Sequence, residues 1–251
     1  MLLIEDLQVK LEDKEILKHI DLEINTGETH ILFGPNGSGK TSLMMTIMGY
    51  PQYRVTGGKI VFKGEDITNM PVDERAELGI GVSYQRPPAI HGVKTRQMVE
   101  ICSNGEADAD AMSAKVNFSD FLERDINVGF SGGEIKRSEL LQLMAQNADL
   151  MLFDEPESGV DLENISLIGT AISQLLQRDF KMNTEKTQKE LHEERTKMGL
   201  IITHTGFILD YVTADKGQLL YNGELTCSSN PREIFKCISE AGYEECVRCA
   251  I

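Results

Sequence analysis

Eight consecutive residues, Gly34 to Thr41, read GPNGSGKT and fit the pattern G-x-x-x-x-G-K-[ST] without a gap. The pattern is demanding because it works only where a buried strand hands over to a helix N-terminus. Both flanks are here. Ile31-Leu32-Phe33 is short and apolar enough for a parallel strand, and Leu43, Met44, Ile47 and Met48 recur at helical spacing behind it. Gly34, Gly37 and Gly39 let the backbone turn with its N–H groups inward around Pro35, Asn36 and Ser38, and the helix end adds partial positive charge. In that geometry Lys40 reaches the β- and γ-phosphates of a nucleotide. The Thr41 hydroxyl binds Mg²⁺, and Ser42 follows in the first helical turn. An incidental glycine-rich turn would not need the lysine, the threonine and both flanks together.

With 251 residues, 41 % of them hydrophobic, the chain has material for one large domain with a substantial core. Its formal net charge of −15 argues against a nucleic-acid partner and against attraction to anionic lipid headgroups. No apolar run approaches the roughly 18 residues of a membrane span. The sequence enters MLLIEDLQVKL without a charged leader, so a cytoplasmic protein with no direct membrane contact is expected. Five scattered cysteines, an odd number, suggest reduced thiols rather than a disulfide framework.

Residues 2–10 and 19–24 read as strands, and Thr26-Gly27-Glu28 as a turn into the strand ahead of the phosphate loop. Gly57-Gly58 reads as a second turn, introducing the strand KIVFKG. Pro71 opens a short helix that Gly79 closes. GIGVSYQ at 79–85 is a buried strand ending in Gln85, at the strand end where α/β folds place ligands. Taken alone, that glutamine reads as an ordinary surface amide. From 86 to about 125 the periodicity weakens to helical candidates at 95–103, 109–116 and 118–124, with a solvated acidic loop at 105–110. This is the expected inserted subdomain, spanning 86–145.

Ser131 and Glu134 form an S-x-x-E capping box, so a helix starts there behind Gly132 and Gly133. A well-capped structural helix would look the same. The glycine pair tilts the reading, because it leaves the helix end uncovered, as an anion site needs. LMLFDE at 150–155 predicts a central buried strand with two carboxylates at its end. Asp154 suits Mg²⁺ and Glu155 suits orienting or deprotonating a water. The pair is weak evidence alone and strong beside the phosphate loop. Asp161 precedes another helix, and 178–198 reads as a charged, solvated excursion within the core. GLIITH ends in His204. A lone histidine is usually structural, but this one repeats the strand-end placement of Gln85 and Asp154. LLYNGEL is a hairpin and PREIFKCISEAGY an amphipathic helix. Cys237, Cys246 and Cys249 invite a metal hypothesis, while a lone C-x-x-C in a reduced, flexible tail is the plainer reading.

Taken together, these residues resemble the ABC ATPase family. GPNGSGKT is similar to its Walker A, Gln85 to its Q-loop, SGGE to its signature, LMLFDE to its Walker B, SGVD to its D-loop and THTGF to its histidine switch. Longer tracts, among them YRVTGGKIVFKGEDI, VDERAELGIGVSYQRPPAIHGV and NVGFSGGEIKR, resemble the SufC-like branch, the ATPases of Suf-type iron–sulfur cluster assembly. The departures are Pro156 after Walker B, a short segment between Gln85 and Ser131, the excursion at 178–198 and the Cys246–Cys249 tail. The aromatic that stacks on adenine in many transporter ATPases is also missing. Val9 and Leu11 stand near its expected place, implying an adenine contact that is either weaker or purely apolar.

The resemblance implies an α/β fold with a RecA-like parallel core, an N-terminal antiparallel β-layer and an inserted helical subdomain. It implies Mg²⁺-dependent ATP hydrolysis in a head-to-tail dimer. Gly34 to Ser42, Gln85, Asp154, Glu155 and His204 of one copy would hold ATP and Mg²⁺, with Thr41, Gln85 and Asp154 at the metal. Ser131, Gly132, Gly133 and Glu134 of the other copy would close on the γ-phosphate, with Asp161 at the joint. SufB-like or SufD-like scaffold subunits are the implied partners. The ATP-binding subunit of a membrane transporter would use the same motifs. A nucleic-acid-linked cassette is disfavoured by the acidic single cassette.

Overall fold

A computed structural model describes residues 1–178 and 194–249. β1 (Leu2–Leu11), β2 (Lys14–Ile24), β4 (Tyr53–Phe62) and the short β5 (Glu65–Asp66) form an antiparallel sheet in the order β2-β1-β4-β5. The inward residues of β1 are Leu2, Ile4, Leu7 and Val9, so the period-two pattern slips by one residue between Ile4 and Leu7. β2 slips likewise between Leu17 and Ile20. Bulges absorb both slips, placing Asp6 at φ 50° and His19 at φ 48°.

The expected turn at Gly57-Gly58 is not one, because β4 runs straight through it. The glycines lie opposite the β1 bulge. A Cβ on Gly58, at φ +76°, would sit 2.3 Å from the Asp6 carbonyl oxygen. The strand therefore needs glycine for close backbone approach, not for reversal.

The second sheet has the order β10-β9-β3-β8-β7-β6, from β3 (Thr29–Phe33), β6 (Ile80–Ser83), β7 (Leu150–Asp154), β8 (Met198–Ile202), β9 (Lys216–Tyr221) and β10 (Glu224–Ser229). All pairings are parallel except the β9–β10 hairpin, which turns at Asn222-Gly223 with both φ angles positive. β7 is buried throughout but lies second from the β6 edge, not at the centre.

Alternation along these strands feeds two cores. Leu32, Leu150, Leu152 and Ile202 face the antiparallel sheet and α1 (Lys40–Met48). Ile31, Met151, Phe153 and Ile201 face α5 (Gly132–Gln146) and α6 (Leu162–Leu175). Truncating a side chain as buried as Phe153 costs about 3–5 kcal/mol. Arg75, on α2 (Val72–Glu77), is buried and donates to the carbonyls of Thr46, Ile47, Thr68 and Met70. It thereby satisfies the open C-terminal end of α1 and anchors the helix behind the phosphate loop.

Between β6 and α5 lie α3 (Thr95–Cys102) and α4 (Ala109–Lys115). The helix expected at 118–124 shrinks to one 3₁₀ turn, Ser119–Phe121, because Phe118, Phe121 and Phe130 pack as an aromatic trio with Arg124 over two of the rings. Most of the expected 178–198 excursion lies outside the described residues, and its two ends are not solvated. Arg178 is buried and donates to Gly27 O, Thr29 Oγ1 and Asp215, while Met198 already belongs to β8. The tail is also ordered differently from expectation. Helix Pro231–Ala241, capped by Asn230, is followed by helix Tyr243–Cys249, with Cys246 buried and within hydrogen-bonding reach of Cys227 on β10. No helix among the described residues is long and apolar enough to cross a membrane.

Candidate functional site

β3 ends at Phe33, and the next turns are built by Gly34, Gly37 and Gly39 at φ +154°, +79° and +108°. Gly39 precedes α1 without a side-chain cap, which leaves the first N–H groups of that helix open toward the loop. Ser38 is buried and its Oγ has no partner. Lys40 is 5 % exposed, and its Nζ donates to Gly34 O at 2.7 Å and Pro35 O at 2.9 Å. Burial pulls its pKa down to about 8, against the opposing charges of Glu155 and Asp154.

Thr41 Oγ1 donates to Asp154 Oδ2 at 3.0 Å, joining the α1 N-terminus to the end of β7. Asp154 is buried, and burial chiefly pushes its pKa up, aided by the Glu155 charge and opposed by the Thr41 hydroxyl. Its Oδ1 has no partner. An unsatisfied buried carboxylate oxygen beside a hydroxyl is a donor set that fits Mg²⁺. When bound there, the cation would neutralise phosphate charge.

Glu155 turns out of β7 at φ 48°, its N–H donating to Ile202 O at 3.1 Å. This left-handed residue aims the carboxylate across the strand ends. Gln85 Nε2 donates to Glu155 Oε2 at 2.5 Å, and His204 Nε2 lies 2.5 Å from Glu155 Oε1. The Gln85 nitrogen is thus used on Glu155, which leaves its carbonyl oxygen for a cation. All of these groups leave the carboxyl ends of β3, β6, β7 and β8, the crevice where open parallel sheets bind ligands. A cleft of about 770 Å³ opens there. Asn36, Gly37, Gly39, Lys40, Thr41, Ser42, Gln85, Glu155 and His204 supply one wall, while Lys14, Glu15, Ile16, Lys18 and the Asn222-Gly223 turn supply the other.

Val9 and Leu11 do not reach this cleft. Val9 is fully buried in the antiparallel core, because the β1 bulge turns it inward, and Ile16 is the apolar side chain on that wall. The capping box forms as expected. Ser131 N donates to Glu134 Oε2 at 2.7 Å, and Ser131 Oγ accepts from Glu134 N at 3.4 Å. The bond from Ser131 N–H holds the Glu134 carboxyl below its ordinary pKa.

The two glycines do more than uncover the helix end. A Cβ on Gly132 would lie 2.2 Å from Gly159 O, and one on Gly133 would lie 2.9 Å from Asn164. They let this turn pack on the start of α6, where Asp161 accepts from Asn164 N at 2.9 Å as the helix cap. Ser131, Gly132, Gly133, Glu134 and Asp161 are therefore gathered on a separate surface, and none of them lines the cleft of its own chain.

Two groups of functional neighbours gave no signal in the sequence. Lys136 and Glu139, spaced as an ordinary polar pair on α5, are buried. Glu139 accepts from Ser83 Oγ at 3.0 Å and Tyr84 N at 2.7 Å, and Lys136 Nζ donates to Tyr84 O, so α5 grips the backbone leading to Gln85. Glu157, Thr203 and Thr205 form the second group.

Comparison with known proteins places these observations. A family model described as ABC transporter matches residues 17–158. The chain is 34 % identical over 97 % of its length, and 97 % of the relative's, to "Probable ATP-dependent transporter SufC" of Escherichia coli (strain K12). It is also 34 % identical, over 97 % of its length and 92 % of the relative's, to "Vegetative protein 296" of Bacillus subtilis (strain 168). Among solved structures it is similar to a nucleotide-free ATP-binding cassette from an ABC transporter, with TM-score 0.75 and 22 % identity over 98 % of both chains. The ADP conformation of an ATP-binding cassette gives TM-score 0.74 and 22 % identity, over 98 % of this chain and 97 % of that one.

Proposed function

The chain belongs to the ABC transporter family of ATP-binding cassettes, and from that premise we propose that it is the ATP-driven motor of a SufB-like scaffold for iron–sulfur cluster assembly. Hydrolysis of ATP with Mg²⁺ is the activity of its family. In this reading the loop Gly34–Thr41 and Lys40 take the phosphates, Thr41 and Asp154 hold Mg²⁺, and Glu155 is the base that His204 and Gln85 orient. One observation carries the reading. The likeness to the E. coli protein named SufC runs over 97 % of both chains, rather than over the nucleotide motifs alone.

A single chain leaves its Ser131 turn on a surface apart from its own cleft. We infer a head-to-tail pair in which that turn, at an open helix N-terminus, closes on the γ-phosphate held by the other copy. ATP is then the link between copies, and hydrolysis removes the charge that joins them. Ser131→Arg is expected to abolish ATP-dependent pairing in sedimentation while leaving ATP binding intact. A dimer that still forms with ATP would count against the composite site.

For the scaffold, a groove of about 560 Å³ runs beside Gln85, lined by Val72, Pro87, Pro88, Met98, Ile101 and Cys102. Ile101 is 65 % exposed there, the highest exposure among the large apolar side chains described as exposed. An apolar helix of the scaffold would cover it and press on the segment that carries Gln85. Ile101→Asp is expected to lose co-purification with a co-expressed SufB-like scaffold, together with any scaffold-stimulated ATPase, at unchanged basal turnover. The transporter-subunit reading draws on Pro156 and on relatives named as ABC transporter ATP-binding proteins. Capture of a membrane permease instead of a soluble scaffold would favour it.

A further inference from the structure

Glu157 lies two residues beyond Glu155, on the turn between β7 and α6, and is only 7 % exposed. One of its oxygens, Oε1, accepts from two hydroxyls, Thr203 Oγ1 and Thr205 Oγ1, the latter at 3.0 Å. Those threonines are the immediate neighbours of His204 on either side. Thr203 is fully buried, and its Oγ1 also accepts from Gly206 N–H at 3.1 Å, so the hydroxyl closes the 203–206 turn on itself. The carboxylate therefore grips the histidine's backbone from both sides. Between the two grips, the His204 ring reaches Glu155 Oε1 at 2.5 Å.

A carboxyl group is an expensive choice for this position. Burial pushes the Glu157 pKa up, the Glu155 charge adds to the push, and Oε2 has no partner. An apolar residue would fill the space more cheaply, but it could not accept from two hydroxyls at once. The other side of the same turn carries Gly159, whose carbonyl oxygen lies where a Cβ on Gly132 would collide with it at 2.2 Å. The segment 157–159 thus sits between the Ser131–Gly133 turn and the 203–205 segment, touching Gly132 on one side and the two threonines that flank His204 on the other.

We propose that Glu157 is a positioning residue that holds His204 against Glu155, and that the 157–159 turn makes this hold depend on how the Ser131–Gly133 turn of the same chain is seated. The proposal rests on the reading of His204 as part of the ATPase site. Its consequence is a mechanical link between the surface a chain offers to its neighbour's nucleotide and the histidine serving its own.

The test is a double-mutant cycle on the full chain, reading kcat, KM and direct ATP affinity. Glu157→Ala is expected to lower kcat about 10-fold with ATP affinity within about twofold of wild type, as fits a misplaced group that touches no substrate. Glu157→Gln, which keeps an acceptor oxygen, is expected to recover most of that loss. In a His204→Ala background, Glu157→Ala is expected to cost nothing further. Should Glu157→Ala not fold, Thr205→Val, at an exposed position, carries the same test with a smaller kcat loss that also vanishes without His204. A Glu157→Ala enzyme at wild-type kcat beside a slow His204→Ala enzyme overturns the proposal alone, as does a loss that multiplies in full in the His204→Ala background. A His204→Ala enzyme at wild-type kcat overturns the site reading and the proposal with it.

Discussion

Lys40→Ala is expected to abolish ATP turnover, lowering kcat by on the order of 10³-fold. The size follows from where the amine is held. It is almost wholly buried, and the Gly34 and Pro35 carbonyls fix it over the loop. Its dehydration has therefore been met during folding rather than at the moment of reaction, which is the condition under which a fixed charge stabilises a phosphoryl transition state most.

The same burial gives the variant a recognisable stability. Lys40 has its pKa depressed from 10.5 to about 8, so the folded state disfavours the protonated amine that the unfolded chain accepts. The penalty is full below about 8 and fades as pH rises toward 10.5. The alanine variant should therefore match or exceed wild type in thermal midpoint at pH 7, and lose ground only in alkaline buffer. Steady-state ATPase assays with thermal melts at pH 7 and 9.5 check both parts. An alanine variant retaining a tenth of wild-type turnover would remove Lys40 from the site.

Glu155→Gln should bind ATP and fail to consume it, with turnover reduced on the order of 10²–10⁴-fold, the range expected when a general base is lost. The substitution is structurally gentle. The left-handed backbone at residue 155 and its N–H bond to Ile202 O do not involve the side chain. Glutamine keeps one acceptor oxygen for Gln85 or His204. What it cannot do is take a proton from water. With the charge of ATP intact, the copies should stay paired, visible as a persistent ATP–Mg²⁺ dimer in sedimentation where wild type reverts to monomer. Wild-type turnover in this variant would show that Glu155 is not the base.

The two results separate different parts of the reading. Loss of turnover at Lys40 with failure to trap a dimer at Glu155 would leave a nucleotide-binding cassette whose hydrolytic step is arranged otherwise. Both effects together, with Ser131→Arg blocking the pairing, would support a composite site built from two chains.

Much of this protein is legible in its amino-acid order because the decisive signals are local. The loop Gly34–Thr41, the Ser131–Glu134 cap, the Asn222-Gly223 hairpin and the Pro71 helix start are each settled within a few residues, by backbone conformations and caps that do not wait for distant partners. The rule that parallel strands present their carboxyl ends to ligands then puts Gln85, Asp154, Glu155 and His204 on one edge.

The failures share a different cause. Gly57-Gly58 continues its strand instead of turning, because the bulge at Asp6, on another strand, presses its backbone against it. Val9 misses the cleft because that bulge shifts its strand's phase. The expected loose tail is a helix because β10 and its neighbours cover Cys246. Above all, nothing in the one-dimensional pattern marks Lys136, Glu139 and Glu157 as buried. A charged side chain can leave water only when folding supplies its partners, and those partners, Ser83 and Tyr84 in one case and Thr203 and Thr205 in the other, come from the ends of β6 and β8 and the turns after them, far away in the chain. Amino-acid order nominates the groups suited to holding and cleaving a triphosphate, while what fixes those groups in place depends on contacts between segments that never meet along the chain, and so emerges with the fold.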